Sequence, residues 1–154
     1  MLNKTKVALV SALIILSACS PPTLQQEHSW ALKKHQYITD QEQYGIPNKW
    51  VASLKGDCED YALVMKNKVG GTMLYVRAYT GEAHIVLLVD GVFDKNNKPI
   101  SGQVLDNMSK VVYPLGEMRH KYVYTIKETD IEHWLAKAQA HDEAIANQVA
   151  YANP

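Results

Sequence analysis

Apolar residues follow three rhythms along this chain. Over residues 7–16 they run unbroken except for Ser11. From Cys58 they recur at helical spacing, with Cys58, Ala62, Met65 and Val69 on one face of a 3.6-residue period. Asp57 is placed to cap that helix, Glu59 and Asp60 put acids in its first turn, and Lys66 and Lys68 put bases in its last. Gly70-Gly71 then stops it. Farther on, runs rich in Val, Ile, Thr and Tyr predict strands over residues 73–79, 84–92, 103–107 and 122–127. The polar run of residues 94–99 marks a turn between the second and third. Trp134, Leu135, Ala138 and Ile145 predict a C-terminal helix after Glu128. Residues 30–44 are polar with scattered aromatics, read as a helix and a loop, and Gly45 and Pro47 punctuate them before Trp50, expected in the core. A helix, an antiparallel meander and a second helix make an α+β layer architecture.

The first rhythm is an export signal. Lys4 and Lys6 precede an apolar stretch of about ten residues, well short of the roughly 20 that span a bilayer. It ends Leu16-Ser17-Ala18-Cys19, which resembles a bacterial lipobox. That resemblance implies diacylglycerol on Cys19, cleavage before it and N-acylation, an anchor firmer than one acyl chain. An ordinary cleaved signal and a retained signal anchor are the alternatives. The expected organisation is a signal peptide over residues 1–18, a lipidated tether over 19–29, and one folded domain over 30–150. This places the protein in the bacterial envelope, facing the periplasm or exterior.

Composition narrows the partners. The 154 residues suit one domain, with 16 basic and 16 acidic side chains. Loss of Lys4 and Lys6 leaves 14 basic residues against those 16, a balance that offers nucleic acid no attractive field. Of two cysteines, lipid claims Cys19, so Cys58 is left without an intrachain partner.

Cys58 lies at a helix start, where unpaired N–H groups and the helix dipole favour a thiolate. A nucleophilic thiol also needs a base, and the base an orienting group. Among six histidines, only His84 opens a strongly apolar strand. If the following hairpin turns near Lys95 or Asn96, His84 faces Asp106 or Asn107 across the ladder. His133 and His141 lie eight apart on the last helix, whereas a zinc pair would prefer a spacing of four.

The strings Gly56-Asp57-Cys58-Glu59-Asp60-Tyr61-Ala62, Ala83-His84-Ile85-Val86-Leu87-Leu88-Val89 and Val104-Leu105-Asp106-Asn107 resemble the bacterial transglutaminase-like cysteine proteinases. These are the LapG-like periplasmic proteases of the papain-like superfamily. The resemblance covers roughly residues 50–112, and departs from the family in having Ala83, not glycine, before the histidine. It implies a papain/transglutaminase-like fold, with the nucleophile helix packed on a small antiparallel sheet. It further implies Cys58 as nucleophile, His84 as general base and acid, and Asp106 as the group that orients the imidazole. By the same resemblance Asp57 and Glu59 would bind calcium, although the chemistry itself requires no cofactor. The implied partner is an envelope protein within reach of the anchor. The other readings are a catalytically silent lipoprotein that binds or masks an envelope partner, and a peptidoglycan amidase of the NlpC type. Glu59-Asp60 and Asp106 argue against the last.

Overall fold

The computed structural model describes residues 20–152 of the chain. The signal segment and Cys19 lie outside the described residues. Helix α1 (Leu24–Lys34) opens on a capping box: the Thr23 side chain accepts from the Gln26 amide, and the Gln26 side chain accepts from the Thr23 amide. The tether expected to reach residue 29 is therefore helical from Leu24 onward. Its polar composition is that of a capped helix burying only a narrow stripe, here His28 and Ala31.

A parallel pair follows, β1 (Gln36–Tyr37) with β2 (Lys55–Gly56). Between them lies the short helix α2 (Asp40–Tyr44), closed by Gly45 at φ 73°. Two-residue strands are too short to carry a sequence period, which is why neither was predicted. Helix α3 (Cys58–Val69) begins and ends where its sequence signals put it. Asp57 occupies the N-cap position but makes no side-chain cap, contrary to expectation, because its carboxylate turns into an acidic cluster described below.

The main sheet is antiparallel, ordered β6-β5-β4-β3-β7. Strands β3 (Thr72–Arg77), β4 (Ala83–Phe93) and β5 (Pro99–Leu105) form the predicted meander. The two-residue β6 (Tyr113–Pro114) extends one edge. The last strand, β7 (Lys121–Thr125), crosses to the other edge and pairs with β3.

Both faces of the sheet are buried, so β4 is a continuous buried run from His84 to Val89 with no polar alternation. One core joins Met73, Leu87 and Leu105 to Tyr61, Ala62 and Met65 of α3. The other gathers Leu74, Val76, Val86, Leu88 and Val104, with Tyr113 and Met118 packed against it. Helix α4 (Glu128–Ala152) anchors by Ile131 and by Trp134, which stacks on the buried Trp50 at 6.1 Å. A Lys49–Asp142 ion pair at 2.5 Å ties its second half down. No helix among the described residues is long and apolar enough to cross a membrane.

Candidate active site

Cys58 is the first residue of α3, delivered by β2 and the single residue Asp57. Its Sγ donates to Glu59 Oε2 at 3.2 Å. Burial, then the adjacent Glu59 carboxylate, push the thiol well above its ordinary range, with the Ile85 amide opposing them. The helix start was expected to favour the thiolate. Here desolvation and an acid in the same first turn act against that field.

His84 sits at the second position of β4, and its Nε2 is 2.9 Å from Asp106 Oδ1. Both side chains are buried. The Asp106 carboxylate is held below its usual range: burial alone would raise it, but hydrogen bonds from His84, His120 and the Met108 amide outweigh that. An ionised Asp106 accepts the Nε2–H of His84, which leaves the Nδ1 lone pair free to accept a proton. The route to this contact differs from the expected direct opposition. Leu87 pairs with Leu105 at one end of the ladder and Phe93 with Pro99 at the other, so the hairpin centres on Asn96 and the register extended would set His84 against Met108. His84 and Asp106 therefore meet on a diagonal, within reach of long side chains.

Asp106 is also contacted by two side chains that sequence reasoning passed over. His120 Nε2 lies 2.8 Å from Oδ2, and the Tyr113 hydroxyl donates to the same oxygen at 3.0 Å. Neither stands in a periodic pattern or a motif; the pairing of β6 with β5 brings in Tyr113, and the chain after β6 brings in His120. The loop beyond Asp106 is itself tied to α1. His28 donates Nε2–H to the Ser109 carbonyl at 2.9 Å, while its Nδ1 accepts from Tyr61 Oη at 2.6 Å.

Cys58 and His84 line two cavities that meet at them. One, about 620 Å³, is walled by Trp50, Tyr75, Tyr124, Ile126 and Trp134. The other, about 580 Å³, is bordered by His35, Thr80, Glu82, Asn107 and Met108. Tyr37 and Ala83 border both. Trp50 is thus a core residue and a cleft wall at once. Among the described residues no hydrogen bond joins Cys58 to His84, and the thiol proton rests toward Glu59.

Behind the thiol lies a second cluster, with ligand atoms of Asp40, Asp57 and Asp60 within 4.8 Å of one another. Asp40 is held by the Lys49 amide, and Asp60 by the Val51 amide at 2.7 Å. Asp40 Oδ1, Asp57 Oδ1 and Asp60 Oδ2 are buried without a partner. Burial first, and then neighbouring acids, push the carboxyls up, to about 6 for Asp40, about 8 for Asp57 and about 7 for Asp60. A Cβ on Gly56 would fall 1.9 Å from Asp60 Oδ2, so only glycine leaves room there. Of the two residues expected to bind calcium, Asp57 joins this cluster. Glu59 instead groups with Asp57 and Cys58 at the thiol.

A cysteine at a helix start, with a buried His–Asp pair on the adjoining sheet in the same cleft, is the construction of the papain-like cysteine hydrolases. Within that class, the chain matches the model of the bacterial transglutaminase-like cysteine proteinases over residues 20–142, and it belongs to that family. No curated protein and no solved structure matches it.

Proposed function

We propose that the protein is a lipid-anchored envelope endopeptidase in which Cys58, His84 and Asp106 act as a triad. The observation that carries the reading is the buried His84–Asp106 pair opening onto the cavities that contain the Cys58 thiol. Released from Glu59, the thiol would pass its proton to Nδ1 of His84, which lines the same two cavities. The sulfur then attacks a peptide carbonyl, and the unpaired N–H groups of the first turn of α3 face the developing oxyanion. His84 returns the proton to the leaving amine, and water, deprotonated by the same ring, releases the acid from the thioester. Asp106 holds the ring in one tautomer throughout. Lipid on Cys19 confines substrates to proteins near one membrane surface, and large surface adhesins are a fitting target by family resemblance.

The test is labelling of the full chain with an electrophilic thiol probe, followed by peptide mapping to separate Cys58 from Cys19. Cys58 of the wild type is expected to react, and His84→Ala to abolish that reaction. Equal labelling of the two proteins refutes the triad.

The second part of the reading is a calcium site. Three buried carboxylates that each leave an oxygen unpaired suit a hard cation taking six to eight oxygens. Asp40, Asp57 and Asp60 would hold it, and a bound cation there would offset their mutual repulsion and fix the start of α3. Calcium is expected to raise the melting temperature in a concentration-dependent way. A melting temperature indifferent to calcium, with no terbium luminescence, removes the site.

A further inference from the structure

His120 is a buried titratable group in direct contact with Asp106 that the triad does not use. It follows the 3-10 turn Leu115–Glu117 and immediately precedes β7. Its ring is fixed on every side. Nδ1 accepts from the Tyr79 amide at 3.2 Å, so the ring proton belongs on Nε2. That Nε2–H points at Asp106 Oδ2 across 2.8 Å. The Tyr79 ring stacks on it at 5.5 Å and 13°, and His84 meets it edge-on at 5.2 Å. The two oxygens of Asp106 are thus divided: Oδ1 serves His84 and the Met108 amide, while Oδ2 serves His120 and Tyr113. A carboxylate can swing about its last torsion, and holding the far oxygen stops that swing.

Resting on the triad reading, we propose that His120 is a positioning residue, which as the Nε2–H tautomer clamps Asp106 Oδ2 and so keeps Oδ1 aimed at His84. The backbone amide of Tyr79 sets its tautomer. An imidazole whose proton is fixed by the main chain donates to Asp106 without competing for the role of base. The pair of histidines on one carboxylate is then a division of labour, with His84 reached from the cleft and His120 held behind it.

The experiment uses the full chain as wild type, His120→Ala and His120→Gln. One arm follows the rate of Cys58 alkylation by iodoacetamide, read by peptide mapping. The other follows the ring nitrogens of His84 by ¹⁵N NMR, which reports tautomer directly. His120→Ala is expected to slow alkylation by about tenfold, the scale of losing an outer partner of a positioned histidine. The His84 signals should change from one tautomer to a mixture. Glutamine offers Asp106 a neutral N–H and is expected to restore most of the rate and the single-tautomer spectrum. A folded His120→Ala protein with both readouts unchanged overturns the proposal, as does a folded glutamine variant no better than alanine. Should alanine prevent folding, the glutamine variant decides alone. If His84→Ala is alkylated as fast as wild type, the triad reading fails, and the His84 spectrum still decides whether His120 positions the pair.

Discussion

Two clusters flank the Cys58 thiol, and each is built around buried or half-buried carboxylates. On the sheet side, Asp106 receives hydrogen bonds from two histidines, a tyrosine and a backbone amide. On the helix side, Asp40, Asp57 and Asp60 face one another, and each keeps an oxygen without a partner. The first carries its own counter-groups and holds its carboxyl below the ordinary range. The second receives the Lys49 and Val51 amides but leaves an oxygen of each carboxylate unpartnered, and its carboxyls are pushed up. Burial alone does not tell a carboxylate's role; the supply of donors does. One cluster has every carboxylate oxygen partnered, while the other leaves an oxygen of each carboxylate without a partner.

Removing a carboxylate should therefore act in opposite senses at the two places. Asp106→Asn is expected to have the largest effect. An amide N–H would oppose one of the two histidine N–H groups, forcing a tautomer change that costs about 10⁴-fold in rate in a Ser-His-Asp triad. Stability should also fall by about 1–3 kcal/mol from the unpaired donors. Cys58 alkylation and thermal melting read the two losses, and an unchanged alkylation rate would break the contrast.

Gly56→Ala comes next. The added methyl overlaps Asp60, whose Cβ lies 2.7 Å away, so overpacking should cost about 1–3 kcal/mol. The calcium-dependent rise in melting temperature should disappear with it. Asp60→Asn is predicted to be smaller and of opposite sign. Its amide oxygen still serves the Val51 amide, while one repelling charge goes. The calcium-free protein at pH 8 should gain on the order of 1 kcal/mol, and a loss of stability instead would erase the difference between the clusters.

The smallest effect concerns the tie from α1 to the loop after Asp106. Burial lowers the His28 pKa, with the Ser109 hydrogen bond and Asp106 opposing. The unfolded chain, with a value of about 6.5, takes up the proton first as pH falls. The stability held above that value is thus lost as pH drops through the lower folded one. Asp106 behaves differently, contributing above the ordinary carboxyl range and weakening only as pH falls through its own lower value. Tyr61→Phe, which removes the donor to His28 Nδ1, should cost about 1 kcal/mol. Melting curves between pH 5 and 8 should flatten in His28→Gln, and an unaltered slope would remove this histidine from the acid response.

How far the site was legible depends on the range of the signal. Helix α3 was readable to the residue, because capping position, first-turn acids, last-turn bases and terminal glycines are all local. Strands β3 and β4 were readable to within two residues, because apolar β-branched runs mark them, whereas β5 begins at Pro99, four residues before its expected start, in a stretch that reads as turn. The register of the hairpin was not, since its turn centres on Asn96 and sets His84 against Met108, past the expected Asp106 or Asn107. The start of α1 was missed because its capping box lies in a stretch with too few apolar residues to show a period. His120 and Tyr113 carried no signal at all.

The chain's local chemistry placed a cysteine at the head of a helix, a histidine at the head of a buried strand and an aspartate within the next, a strand that the structure ends at Leu105. Those are statements about neighbours in sequence, and short-range hydrogen bonding and apolar periodicity suffice for them. Tertiary structure decided which groups share Asp106, that the thiol rests against Glu59, and that Asp40 completes an acidic cluster with Asp57 and Asp60. Each of those contacts depends on desolvation and on donors brought from distant segments. A carboxylate in the sequence carries no mark of whether its partners will arrive.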